Sequence, residues 1–255
     1  MAYLICRGGW PDAVVEGGDG ALETAYDYIA AIATDDISRV DGVRRSEEYA
    51  RLVMEAYARS TATLADVESM RRLIRAQHGE IARNTVDSYL AALRKLHVFE
   101  DVRTWRPSLR TRTRITTTPT RHFTDPSLAV AAMGASPAIL MRDISTFGLL
   151  FESLCIRDLR VYAESLKGQL LRYRDQTGLE TDAVLVLRDG RWGAFEMKLG
   201  DGMVDEGAKS LLAVAAKVDC AEMGAPTFLT VIVPSGFAYQ RLDGVSVVPI
   251  TCLRP

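Results

Sequence analysis

Residues 180–198 read ETDAVLVLRDGRWGAFEMK, and this stretch decides which fold we expect for the chain. Two apolar runs flank a turn at residues 188–191, which predicts an antiparallel β-hairpin. Side chains alternate along a strand, so Glu196 and Lys198 share one face, and pairing can bring Asp182 beside them. Carboxylates among apolar neighbours are costly to leave without partners. A divalent cation is therefore the expected occupant of this region.

The bulk composition is that of an ordinary globular protein. The chain has 255 residues, of which 48% are hydrophobic and 25% charged, with a formal net charge of −2. This length suits one large domain or two small ones, and the charge predicts no general attraction to nucleic acid. No apolar run approaches the ~20 residues of a membrane span, and no signal pattern is present at the amino terminus. We expect a cytoplasmic protein without membrane contact.

The four cysteines are far apart in the sequence and contain no CxxC pair. This spacing argues against a zinc ribbon and against a compact disulfide framework, so reduced thiols are expected. The residues concerned are Cys6, Cys155, Cys220 and Cys252.

Three regions are predicted along the chain. Residues 1–59 form a helical lead-in. Residues 60–125 contain two helical periods, the second with Asn84 as its expected cap, followed by strands at 98–102 and 112–117, an order typical of a winged helix. Residues 126–255 contain a long helix at about residues 146–166 and continue as mixed strands and helices. The predicted fold class is α/β (α+β).

The winged-helix region is also unevenly charged. Residues 60–125 hold twelve basic and seven acidic side chains, and residues 103–121 contain six arginines and no acid. Arginine forks match phosphate oxygens, so this stretch predicts contact with DNA. A solvated hairpin or a surface for an acidic protein remains the alternative. The predicted nucleic-acid contacts are Arg106, Arg110, Arg112, Arg114 and Arg121.

Several segments resemble known families. Asp182 followed by Glu196-Met197-Lys198 resembles the PD-(D/E)xK nuclease signature, and Glu152 matches the acidic residue that many members carry on the first core helix. The wider pattern is similar to the C-terminal region of an uncharacterised family of bacterial and archaeal AAA-type ATPases. The resemblance implies a winged helix followed by a restriction-endonuclease-like mixed sheet flanked by helices. It rests on residues 7–11, 28–37, 85–90, 122–128, 172–174, 178–182 and 195–198.

The ATPase domain of that family has no counterpart in this sequence. No GxxxxGK[ST] motif occurs, so no ATP site is expected in the chain. The resemblance would make residues 1–59 a remnant of the ATPase lid region. Either a separate ATPase is missing or the chain is a shortened relative, and both alternatives stay open.

The nuclease resemblance also implies roles for individual residues. Asp182 and Glu196 would bind Mg²⁺ or Mn²⁺, and Glu152 could complete the metal shell through water. Lys198 would orient a water or offset charge on the phosphate. Glu180 points to the same face as Asp182 and is a secondary candidate. The leading hypothesis is a DNA-binding, metal-dependent phosphodiester hydrolase. The alternatives are a non-catalytic module binding nucleic acid or protein, and a regulatory portion of an ATPase.

Overall fold

The computed structural model describes residues 1–107, 117–218 and 220–254. The chain divides into two compact units. The first consists of Met1–Asp101 with Thr120–Ser153, and the second of Val102–Pro119 with Leu154–Pro255. Helices and a six-stranded mixed sheet confirm the predicted α/β class.

The first unit is built from helices. Helix α8 is buried along most of its length and packs against α1, α3 and α5, so it forms the centre of this unit. The helices that begin in this unit are α1 (Ala2–Arg7), α2 (Pro11–Glu16), α3 (Glu23–Ala31), α4 (Ile37–Arg39), α5 (Glu47–Ala58), α6 (Val67–His78), α7 (Arg83–Lys95), α8 (Pro126–Ala132), α9 (Pro137–Leu140) and α10 (Ile144–Ser165).

The predicted winged helix is only partly visible. Helices α6 and α7 are present, and α7 buries Val86, Leu90 and Leu93 at helical spacing. The predicted cap at Asn84 is wrong, because α7 already begins at Arg83 with Ala82 in the cap position. The expected strand at 98–102 is reduced to an isolated bridge between Phe99 and Phe123. The second expected strand falls largely on residues 108–116, outside the described residues, so the winged helix stays a prediction.

The second unit contains the sheet. Its strand order is β1-β2-β3-β4-β6-β5; the pairs β3–β4 and β4–β6 are parallel and the other neighbours antiparallel. Helix α11 connects β3 to β4 and packs on strands β2, β3 and β4. The elements are β1 (Gln169–Arg174), β2 (Glu180–Val186), β3 (Trp192–Met197), α11 (Val204–Lys217), α12 (Cys220–Met223), β4 (Leu229–Val233), β5 (Tyr239–Gln240) and β6 (Ser246–Pro249).

The hairpin expected from residues 180–198 is confirmed. Strands β2 and β3 pair antiparallel, with Ala183 opposite Phe195 and Val184 opposite Ala194. Val184 and Ala194 belong to a buried apolar cluster with Leu211 of α11. Branched side chains packed between a sheet and a helix fix the register, because a slip of one residue would turn the apolar face towards water.

Candidate functional site

Three of the predicted site residues share one face of the sheet. Val184 and Ala194 face α11, and side chains two positions away along a strand lie on the same face. Asp182 precedes Val184 by two residues, and Glu196 follows Ala194 by two. Continuing the register by one pair sets Asp182 opposite Glu196. Lys198, two residues further on, joins them just after β3 ends.

The side chains of this group are held by specific hydrogen bonds. The backbone amide of Met197 donates to Oδ2 of Asp182 at 2.7 Å. The Lys198 Nζ lies 3.2 Å from Oε2 of Glu196 and 3.8 Å from Oε1 of the exposed Glu206. The Ser210 hydroxyl lies 2.7 Å from the Glu180 carbonyl oxygen and 3.2 Å from Oε1 of Glu196. Each carboxylate is therefore fixed through identified oxygens.

Burial makes these carboxylates weak acids. Removal from water raises the pKa of Asp182, although the Met197 amide and the Lys198 charge oppose this effect. Burial, followed by the charge of Asp182, raises the pKa of Glu196 to about 8. Burial lowers the pKa of Lys198, but the charges of Glu196 and Asp182 outweigh it and leave that pKa raised. One ammonium thus faces two carboxylates, and a further positive charge would favour their ionised forms.

Helix α11 contributes two residues that sequence reasoning missed. A Cβ on Gly207 would lie 3.2 Å from both Cε and Cγ of Lys198, so the lysine stem crosses the helix at this glycine. Ser210, one turn later, reaches Glu196. The available signal was a glycine and a serine three residues apart on the helix that follows β3, since such residues share one helix face.

Glu180, the secondary candidate, forms ion pairs with two arginines of β1. Its Oε2 accepts hydrogen bonds from Nη2 of Arg172 at 2.8 Å and Nη1 of Arg174 at 2.9 Å. The Arg172 charge also acts to lower the pKa of Asp182. Glu180 is therefore a partner of two arginines beside the group of Asp182, Glu196 and Lys198.

Two family models match the chain. A domain of unknown function, DUF8612, matches residues 1–139, which is more than half of the 255 residues. The chain belongs to the DUF8612 family. A second domain of unknown function, DUF4143, matches residues 147–253, and such domains usually occur with AAA ATPases. No curated protein matches the chain.

The DUF4143 match includes Glu152, the fourth predicted catalytic and metal-binding residue. Glu152 lies on α10, and its part in the site stays a prediction. Within the described part of the chain, no three His, Cys, Asp or Glu side chains form a group that could hold a metal ion. Binding of a cation by Asp182 and Glu196 stays a prediction.

The five arginines predicted to bind DNA differ in their exposure and in whether the structure describes them. Arg121, in the DUF8612 half, is 7% exposed; its Nε donates to the Ala65 carbonyl at 3.0 Å and its Nη1 to Oδ2 of Asp101 at 2.7 Å. The prediction for Arg121 is corrected, because a buried and doubly bonded guanidinium is not open to a phosphate. Arg106 is exposed. Arg110, Arg112 and Arg114 lie outside the described residues.

The membrane expectation can be checked on the helices of the structure. No helix among the described residues is long and apolar enough to span a bilayer.

Proposed function

We propose that the second unit binds a divalent cation, Mg²⁺ or Mn²⁺, and hydrolyses phosphodiester bonds in DNA. The observation that carries this proposal is the convergence of Asp182, Glu196 and Lys198 on one sheet face, with raised carboxyl pKa values. Carboxyl groups with perturbed pKa values beside a lysine are typical of functional sites.

The donor set fits a hard cation. Mg²⁺ prefers oxygen ligands and keeps several waters, so one or two carboxylates are sufficient. Asp182 and Glu196 supply carboxylate oxygens from neighbouring strands. A bound cation would offset the desolvation that now raises both carboxyl pKa values, which gives binding a physical driving force.

When bound, the cation would acidify a water and offset negative charge on the phosphate. The protein residues have their own tasks. The Met197 amide fixes the Asp182 carboxylate through Oδ2, and Ser210 orients Glu196 through Oε1. The charge of Lys198 favours the ionised form of Glu196, and an ammonium has three protons, so it can also orient a water or a phosphate oxygen.

A second function, association with an AAA-type ATPase, is favoured by the DUF4143 match at residues 147–253. The 255 residues contain no P-loop, so this function would need an ATPase domain supplied from outside them. In that case the site would serve binding or regulation.

Calorimetry and a cleavage assay test the hydrolase. We expect Mn²⁺ or Mg²⁺ to release or absorb heat with the wild-type protein and not with Asp182→Ala, and DNA cleavage to disappear in the same variant. Asp189→Asn is the matched control, since Asp189 is an exposed carboxylate in the β2–β3 turn paired with Arg191. Absence of any metal binding by the wild type would rule out the hydrolase.

A further inference from the structure

A short segment before the basic stretch is attached to the edge of the second unit's sheet. Thr104 forms a parallel bridge with Arg172 of β1. The Arg172 amide donates to the Arg103 carbonyl at 3.0 Å, and the Trp105 amide donates to the Arg172 carbonyl at 2.6 Å. Sequence reasoning assigned this segment to a winged helix, whereas the structure places it along an outer strand of the sheet.

Trp105 anchors the segment. Its side chain is 3% exposed and lies in the apolar core of the second unit. Its ring centroid is 4.9 Å from that of Trp192 and 6.2 Å from that of Tyr173. The flanking residues are therefore held in a defined position on β1 rather than on a loose loop.

The anchored segment and β1 together bring three accessible arginines to this edge of the sheet. We call Arg103, Arg106 and Arg174 the arginine edge; Arg172 is 6% exposed and is not part of it. Arg103 and Arg106 are exposed, and neither forms an ion pair with a described residue. Arg174 pairs with Glu180, with 2.9 Å between Nη1 and Oε2. Three arginines beside one carboxylate give the arginine edge a net positive charge.

We infer that the arginine edge binds the phosphate backbone of a nucleic-acid strand and leads it to Asp182. This inference rests on the proposed function, because it names the substrate contacts of that site. Arg174 pairs with Glu180 in the β1–β2 register, and Glu180 precedes Asp182 by two residues on the same strand face, so the edge adjoins the carboxylates. Three residues of extended chain span about 10 Å, so Arg103 and Arg106 are far enough apart to contact different phosphates of one strand.

The test compares two sets of charge removals. The variants are Arg103→Gln with Arg106→Gln, and Arg174→Gln alone. Arg188→Gln is the matched control, because Arg188 is an exposed arginine of the same unit about 20 Å from Asp182 along the strand direction. Binding of labelled single-stranded and duplex DNA is measured in EDTA over a range of salt concentrations, which makes the result independent of catalysis.

We expect the double variant to bind DNA about tenfold or more weakly and the slope of log K against log salt to shrink by about one per lost phosphate contact. Arg188→Gln should bind as the wild type does. The inference is overturned if the edge variants and the control bind DNA equally. It is also overturned if the wild-type protein binds polyglutamate, used as an acidic polypeptide, but not DNA. If the edge variants bind DNA more weakly but the wild type does not cleave DNA, the inference about the arginine edge is supported and the proposed hydrolase activity is contradicted.

Discussion

Lys198 and Glu196 form a largely buried ion pair, with 3.2 Å between Nζ and Oε2 and side-chain exposures of 15% and 4%. Asp182 adds a second carboxylate on the same sheet face, and burial raises the pKa of both carboxyl groups although nearby positive charges oppose this effect. A buried charge without full compensation is unfavourable, and such a group binds protons or cations readily. This imbalance makes the site testable by pH, by mutation and by added metal.

Replacing Glu196 by Gln should change how stability depends on pH. The pKa of Glu196 is about 8 in the folded protein and near the ordinary value of 4.5 when unfolded. The folded state therefore retains a proton that the unfolded state loses, and the free energy of unfolding should fall as the pH rises from about 4.5 to 8. Gln cannot titrate, so this fall should be smaller in Glu196→Gln.

Urea unfolding at several pH values in EDTA measures this effect. Glu206→Gln is the control, because Glu206 also approaches Lys198 but its side chain is 73% exposed. The control should keep the pH dependence of the wild type. Equal pH profiles for wild type and Glu196→Gln would contradict the assigned burial effect. Added Mg²⁺ should raise wild-type stability most at the higher pH, where the carboxylates are ionised.

Lys198→Met should destabilise the protein, because it removes the positive charge and leaves the carboxylates facing each other. We expect a loss of roughly 2–3 kcal/mol at pH 8 and less at pH 5, where Glu196 is protonated. The double variant Glu196→Gln with Lys198→Met should recover part of this loss, with a coupling energy of roughly 1–3 kcal/mol. A double-mutant cycle by urea unfolding gives that coupling, and strictly additive effects would argue against the ion pair.

Gly207→Ala and Gly148→Ala should differ in their effect on stability, although both glycines lie inside helices. A Cβ at Gly148 meets open space, so alanine should stabilise α10 by up to about 1 kcal/mol. A Cβ at Gly207 would lie 3.2 Å from the Lys198 stem and 3.3 Å from Cγ2 of Val231. These close contacts should offset the stabilisation that alanine gives to a helix. Gly207→Ala should also weaken Mn²⁺ binding by displacing Lys198. Chemical unfolding and calorimetry measure both effects, and identical behaviour of the two variants would refute the close approach.

Asp101→Ala should be more harmful than Tyr57→Phe. Asp101 accepts hydrogen bonds from the Tyr57 hydroxyl, from Arg94 at 3.0 Å and from Arg121 at 2.7 Å. Removing Asp101 leaves the buried Arg121 without its carboxylate, at a cost of roughly 3 kcal/mol or more, whereas Tyr57→Phe should cost about 1 kcal/mol. Urea unfolding compares them. Equal losses would show that Asp101 does not hold this network together.

Local patterns were sufficient for the hairpin of β2 and β3. Alternation of apolar side chains and a tight turn are properties of neighbouring residues, so the pairing of these strands and the shared face of Glu196 and Lys198 followed from the sequence. The same local reasoning predicted a long helix within residues 126–255, observed as α10, followed by mixed strands and helices. It did not find the two-residue strand β5, whose residues are exposed and lack a periodic pattern.

Contacts between residues distant in sequence were decided only by the tertiary structure. The basic character of residues 103–121 was evident in the sequence, but burial of Arg121 against Asp101 and attachment of Thr104 to β1 depend on how the chain packs. Likewise, the sequence supplied Asp182, Glu196 and Lys198, whereas α11 supplied Gly207 and Ser210 to fix them. Side-chain chemistry is local, but burial, which sets the pKa values and the available charges, is a property of the packed protein.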